Sequence, residues 1–313
     1  MNPRVSIIQH FTGDLGALGA HLPELMRELQ ARGAGDEVLL VDDTGTGELE
    51  SWALEHFPAV RVVVKNRREG RSKAHLMGAQ AASGEFLFLL GPEVRMQRGC
   101  LGPLIAALQG PNVYAATPRI LQGPGGEPEM PGPLAIEQGR PVVLPSSVGA
   151  DETHLRPVPF AGGSALFVRR DAFLAHAGFD ALFPSPYWED VDLGLTVWRQ
   201  GMRILEVPQA VVERHPVESM EVLTVPAVDR AAIERGRLLL QWKHLDSRAG
   251  AAEHVQGLWR DAVDAALGDW REELVWLAMA LDDLGAVTDS RAAVHPVQRT
   301  VADALRLSDP TRL

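Results

Sequence analysis

The chain has 313 residues, 46% of them hydrophobic and 23% charged, with a net charge of −11. That length and composition suit a soluble globular protein built as one large α/β domain with an appendage, or as two domains, and the acidic balance speaks against general nucleic-acid binding. A single cysteine, Cys100, excludes an intrachain disulfide and a cysteine-built zinc site, and no apolar run reaches the ~18 residues of a membrane span.

Residues 4–10 read as a buried strand around Val5, Ile7 and Ile8. A helix follows over 15–32, with Leu18, Leu22, Leu25, Met26 and Leu29 at helical spacing, and Gly33 and Gly35 end it. The alternation continues: a strand at 37–41 ending in Asp42-Asp43, a helix at 48–57, a strand at 60–64 and a helix at 72–82. A strand at 85–90, a helix at 101–108 and a strand at 113–117 complete the series. Repeated β-α units with short loops imply a mainly parallel sheet with helices on both faces. In such sheets ligands bind beyond the carboxyl ends of the strands, so the loops after His10, Val41, Val64 and Leu90 should converge on one site.

The stretch 121–159 is rich in Gly and Pro and breaks the rhythm; it reads as a long connection over the site, with room for one hairpin. A strand returns at 164–168, with a helix from Asp171, a helix at 191–200 and strands at 203–207 and 210–214. From Pro226 onward the pattern is helical, over 231–245, 251–266, 270–284 and 296–307. That third holds four of the seven tryptophans, Trp242, Trp259, Trp270 and Trp276, and reads as a helical appendage. The expected organisation is a sheet domain over 1–220 and a C-terminal helical region over 221–313 packed on it. The chain opens directly on a strand pattern without a basic-then-apolar leader, so the expectation is a cytoplasmic protein, with peripheral attachment to the inner face of a membrane left open.

The most informative stretch is Tyr187-Trp188-Glu189-Asp190-Val191-Asp192-Leu193. Three carboxylates crowd the mouth of an amphipathic helix, where unpaired N–H groups and the helix dipole favour negative charge. Two large aromatics stand directly before them, and an aromatic wall beside a carboxylate is a way to hold a sugar ring near a base. The alternative is an acidic helix cap with core aromatics. The segment 65–73 carries five basic residues in nine, Lys65, Arg67, Arg68, Arg71 and Lys73, and reads either as an anion site or as a solvated loop.

The order of motifs from Val5 to about His215 resembles the family 2 glycosyltransferases of GT-A fold, in particular their rhamnosyltransferase-like branch. Val41-Asp42-Asp43-Thr44-Gly45-Thr46-Gly47 is similar to the family's "VDDGSTD" loop, and Asn66, Gly70, Gly78 and Ala82-Ser83-Gly84-Glu85 to its "N…G…N.G…A.GE" segment. Gly162-Gly163-Ser164, Gly178-Phe179-Asp180 and Trp188-Glu189-Asp190-Val191-Asp192-Leu193 match its acceptor-side half, and 234–244 resembles a helix of the rhamnosyltransferase-like branch.

The resemblance implies a GT-A-like, Rossmann-like sheet and transfer of a sugar, with inversion, from a UDP-, GDP- or dTDP-linked donor to a saccharide or lipid-linked cell-envelope acceptor. Asp190 falls on the base position, where Trp188 and the charges of Glu189 and Asp192 raise a carboxylate pKa. Glu189 then helps hold acceptor or sugar, and Asp192 caps or braces the helix. Gly162, Gly163 and Trp188 fall on the acceptor side. Asp42 and Asp43, Asp43 foremost, are placed to accept the imide N–H of uracil or thymine, or else to cap the loop. Asn66, Arg67, Arg71 and Lys73 fall beside the diphosphate. The family's DxD motif reads Gly91-Pro92-Glu93 here, so a Mg or Mn ion would rest on Glu93 and His215. Leu76 stands where an Asn is usual, and Gln9-His10-Phe11-Thr12-Gly13 lacks the usual Pro and Asn. A donor half altered in this way leaves a second reading, a GT-A-fold binding or partner protein without turnover.

Overall fold

The computed structural model describes residues 2–129, 132–146, 153–162, 164–183, 188–215, 227–268, 274–294 and 296–311. Gly163, Tyr187, Trp270 and the expected boundary at 220/221 lie outside the described residues. The chain runs β1 (Val5–Phe11), α1 (Leu15–Arg32), β2 (Glu37–Asp42), α2 (Glu48–His56), β3 (Arg61–Val64), α3 (Arg71–Ala81) and β4 (Phe86–Leu90). It continues through β5 (Val94–Met96), α4 (Leu101–Ala107), β6 (Val113–Gln122), β7 (Pro128–Glu129), β8 (Leu134–Glu137), β9 (Arg140–Val143) and β10 (Arg156–Pro157). Then come β11 (Ala165–Arg169), α5 (Arg170–Ala175), α6 (Glu189–Arg199) and β12 (Arg203–Arg214). The C-terminal helices are α7 (Ala227–His244), α8 (Arg248–Leu267), α9 (Val275–Asp282), α10 (Leu284–Ala293) and α11 (Val301–Ser308).

Ten strands form one sheet in the order β10-β12-β6-β11-β4-β1-β2-β3, with β5 on β12 and β7 on β6. Strands β4, β1, β2 and β3 are parallel. Strand β11 runs antiparallel between β4 and β6, because it arrives from the long connection rather than through a crossover helix. The hairpin allowed for in that connection is β8-β9.

Period-two alternation assigns each strand residue to one of two cores. Ile7, Val38 and Leu40 pack with Leu18, Leu22, Leu25 and Leu29 of α1 and with α4. Ile8, Leu39 and Val41 pack on the opposite face with Ala74 and Ala79 of α3 and Leu193 and Val197 of α6. Both faces are therefore covered, as continuous apolar strands require. A third cluster joins Val191 and Leu195 of α6 to Leu238, Leu239 and Leu240 of α7, Ala280 of α9 and Val287 of α10.

Several boundaries differ from expectation: β6 runs on to Gln122, past the expected end at 117, and β5 was not expected. The two strands expected over 203–214 are one strand, β12, whose register against β6 shifts between Val207 and Val211; Pro208, without an N–H, interrupts the ladder there. The helix expected from 191 begins at Glu189, which places Glu189 and Asp190 in its first turn. The segment expected as one helix over 270–284 is followed by a separate helix, α10, with Asp283 between the two.

Candidate active site

The carboxyl ends of the parallel strands hold the predicted residues, but not in equivalent roles. Asp43, just past β2, is fully buried and fully engaged. Its Oδ1 accepts from Lys65 Nζ at 2.5 Å and from the Glu69 N–H at 2.8 Å. Its Oδ2 accepts from the Gly70 N–H at 2.9 Å and pairs with His10 Nε2 at 3.0 Å. Burial pushes its pKa up, and the hydrogen bonds from Lys65, Glu69 and His10 more than reverse that, so it is ionised. Asp43 therefore fastens the 65–70 loop to β1, with both of its oxygens engaged. Asp42 accepts the Thr44 N–H and hydroxyl at Oδ1, at 2.9 and 2.6 Å. Its buried Oδ2 has no hydrogen-bond partner among the described residues.

The basic segment divides. Lys65 is spent inside on Asp43. Arg67 and Lys73 face outward and pair with Glu69 at 3.3 and 3.5 Å, and Asn66 is exposed. Arg71 turns inward. It opens α3, keeps 18% of its side chain exposed, and pairs with the fully buried Glu189 at the start of α6. The charges of Asp190 and Glu93 act on it as well. One turn further, His75 is held neutral by burial and by the Arg71 charge.

Asp190 follows Glu189 and lines a small cavity with Gly162, His75, Leu89 and Phe179. Burial, and then repulsion from Glu189, raise its pKa from 3.8 to about 6; Arg71 opposes the rise. A carboxyl tuned towards neutrality is suited to taking a proton at physiological pH.

The turn after β4 closes with the Val94 N–H donating to the Gly91 carbonyl at 3.1 Å. Gln9 donates to the same carbonyl at 3.3 Å. The Glu93 side chain folds back over Gly91: a Cβ added at 91 would lie 2.5 Å from Glu93 Oε2. Ser164 donates to Glu93 Oε1 at 2.5 Å and in turn accepts from Arg214 Nη2 at 3.1 Å. The His215 N–H donates to the Glu93 carbonyl at 2.8 Å, so the expected metal pair is brought together by backbone, but the His215 ring faces Glu213 at 3.3 Å. Among the described residues no three His, Cys, Asp or Glu side chains gather as a metal set. One carboxylate already hydrogen-bonded and one imidazole turned to another acid do not fit a divalent cation.

Trp188, expected as a wall for a sugar, is turned to the C-terminal helices. Its indole N–H donates to the Ile233 carbonyl at 2.9 Å, and a Cβ on Gly236 would lie 2.8 Å from its Cδ1. Its backbone is left-handed at φ 77°, a strained conformation for a tryptophan that this packing holds. Asp192 braces α6, though not as a cap: it pairs with Lys243 Nζ at 2.7 Å and His244 Nε2 at 2.8 Å on α7. Lys243 also takes Asp180 at 2.7 Å. A cleft of about 1030 Å³ between α3, α6 and α10 is lined by Lys73, Asp180, Asp192 and Ser290, but by neither Asp190 nor Glu93.

The structure thus gathers Arg71, Glu189, Asp190, Gly162, Gly91, Glu93 and His215 around the strand ends, with Asp42 and Asp43 at the end of β2, two strands from β4. Sequence reasoning did not assign His10, Ser164 or Arg214 to the site. Ser164 carried the one available signal, its place at the end of a Gly-Gly-Ser run opening a strand.

Residues 20–175 match the family described as Glycosyl transferase family 2. The chain is a family 2 glycosyltransferase. It is 29% identical over 228 residues to the N-acetylglucosaminyl-diphospho-decaprenol L-rhamnosyltransferase of Mycobacterium tuberculosis, covering 64% of this chain and 74% of that protein. The glycosyltransferase also shares its fold with GalNAc-T7 solved with UDP, GalNAc and Mn2+, at TM-score 0.59 and 18% identity over 76% of this chain. It spans 47% of that longer chain, about half its length. A mannosyltransferase from Pyrobaculum calidifontis, solved with GDP-Man and Mn2+, matches at TM-score 0.53 and 14% identity, covering 94% of this chain and 86% of that one. Among the described residues of the glycosyltransferase, no helix is long and apolar enough to cross a membrane.

Proposed function

We propose that this glycosyltransferase moves a sugar from a UDP-, GDP- or dTDP-linked donor to a hydroxyl acceptor with inversion, and that Asp190 is the general base. The observation that carries the reading is the Asp190 carboxyl, its pKa raised to about 6 beside the Arg71–Glu189 pair at the strand ends. The acceptor hydroxyl oxygen forms a bond to the anomeric carbon as the bond to the diphosphate oxygen breaks. The hydroxyl proton goes to Asp190, and the electron pair leaves with the diphosphate. Attack from the face opposite the leaving group inverts the centre.

Asp42, with its unsatisfied Oδ2, accepts the N–H of the nucleobase in place of Asp43, since a buried carboxylate oxygen without a partner is costly until a ligand supplies one. Gly162 lines the small cavity beside Asp190. The M. tuberculosis relative is named for transfer to a diphospho-decaprenol-linked sugar. That supports a lipid-linked or cell-envelope saccharide acceptor here and a place at the inner face of the membrane. The solved structures of similar fold carry Mn2+, but Glu93 and His215, the expected pair among the described residues here, do not fit it.

The test is Asp190→Asn. With donor and acceptor present, it keeps nucleotide binding and loses a factor of ~10²–10⁴ in turnover, because an amide takes no proton at neutral pH. Turnover within a few-fold of the parent removes Asp190 as the base.

A further inference from the structure

The Gly91-Pro92-Glu93 turn and Arg71 together suggest how the leaving group is met. Gly91 and Glu93 are a matched pair. The absent side chain at 91 is the space into which Glu93 folds, so a carboxylate at 91 and Glu93 as placed exclude one another. Two of the carboxylates near the strand ends, Glu189 and Glu93, already face cations. Glu189 has Arg71. Glu93 feels Arg95 by charge and reaches Arg214 through Ser164. A divalent cation entering here would meet carboxylates already neutralised and guanidinium groups that repel it.

We propose that Arg71 is the fixed cation of the transfer reaction, so that nucleotide-sugar binding and departure of the diphosphate proceed without a divalent metal. The inference rests on the transferase reading above. Arg71 stands at the N-terminus of α3, at the carboxyl edge of the sheet, with part of its side chain open to the site. A guanidinium has five N–H donors in a planar fork, enough to hold a carboxylate and still meet phosphate oxygens. Glu189 orients the fork, and Arg71 places N–H donors where negative charge grows on the departing oxygen. No proton is transferred from Arg71. The acceptor proton goes to Asp190, and the diphosphate leaves as an anion held by hydrogen bonds.

The experiment is calorimetry of the full chain with UDP, GDP and dTDP, in EDTA and in MnCl2. At least one of the three is expected to bind with affinities in the two buffers that agree within about threefold. The double variant Arg71→Met with Glu189→Gln removes the pair without leaving a buried charge, and is expected to weaken that binding about tenfold or more, with melting close to the parent. Arg71→Lys, a point charge without the fork, is expected to fall between. Gly91→Asp with Glu93→Asp, which rebuilds two carboxylates, is expected to make binding depend on Mn2+. Binding by the parent only in MnCl2 overturns the proposal and leaves the transferase reading standing. Binding unaffected by the Arg71 variants overturns the role of Arg71. Binding of none of the three in either buffer overturns both.

Discussion

Asp190 is held where folding disfavours its charge, so the substitution that destroys turnover should stabilise the protein. A carboxyl carried from 3.8 to about 6 by burial and by Glu189 costs about 3 kcal/mol of folding stability when fully ionised. The cost is complete above pH 6, shrinks as the pH falls and is gone below 3.8, where the unfolded chain is protonated too. At pH 5 about half of it remains. Asp190→Asn keeps the bond from the Val191 N–H, which Asp190 Oδ1 accepts at 2.8 Å, and removes the charge. Its Tm should therefore exceed that of the parent by about 5 °C at pH 8, for roughly 1.5 °C per kcal/mol in a chain of this size, and by distinctly less at pH 5. Thermal melts of both proteins at the two pH values read this directly. A variant that melts below the parent at pH 8, or by the same margin at both pH values, refutes the account of Asp190 as a carboxyl strained by its surroundings. The kcat/KM of the parent should rise with pH through about 6 as the base ionises.

Lys243→Ala leaves Asp180 and Asp192 without their shared cation; urea denaturation should show a loss of about 3 kcal/mol, as for a broken buried ion pair. Gly236→Ala drives a Cβ to 2.8 Å from Trp188 and should cost about 1–3 kcal/mol, with kcat falling more than KM rises because the ring holds the entry to α6. Glu37 is buried, which raises its pKa, but hydrogen bonds from Ser83, Ser6 and Arg61 overcome this and bring it to about 2. Its contribution is present above pH 4.5 and lost as the pH falls towards 2, so Glu37→Gln should flatten the acid limb of a pH–stability curve measured by chemical denaturation.

The alternating apolar runs at Val5–Phe11, Glu37–Asp42 and Phe86–Leu90, separated by helices with leucines at helical spacing, determined the sheet and its two covered faces. Local periodicity carries that information because strand and helix each bury side chains at a fixed repeat. The acidic first turn of α6 and the Gly-Gly-Ser run before β11 were legible for a related reason: charge at a helix start and glycines at a close approach are local signals. Partners were not. Nothing in the run of residues 65–73 distinguishes Lys65, spent on Asp43, from Arg71, aimed at Glu189 across 118 residues of chain. Trp188 reads as a sugar platform until α7 is seen to pass over it with a glycine at the contact. Asp43 reads as a ligand contact until its four hydrogen bonds are counted. Which carboxylate is saturated and which is left strained depends on side chains that only tertiary packing brings within hydrogen-bonding distance. A pKa is set by that packing, not by residue type.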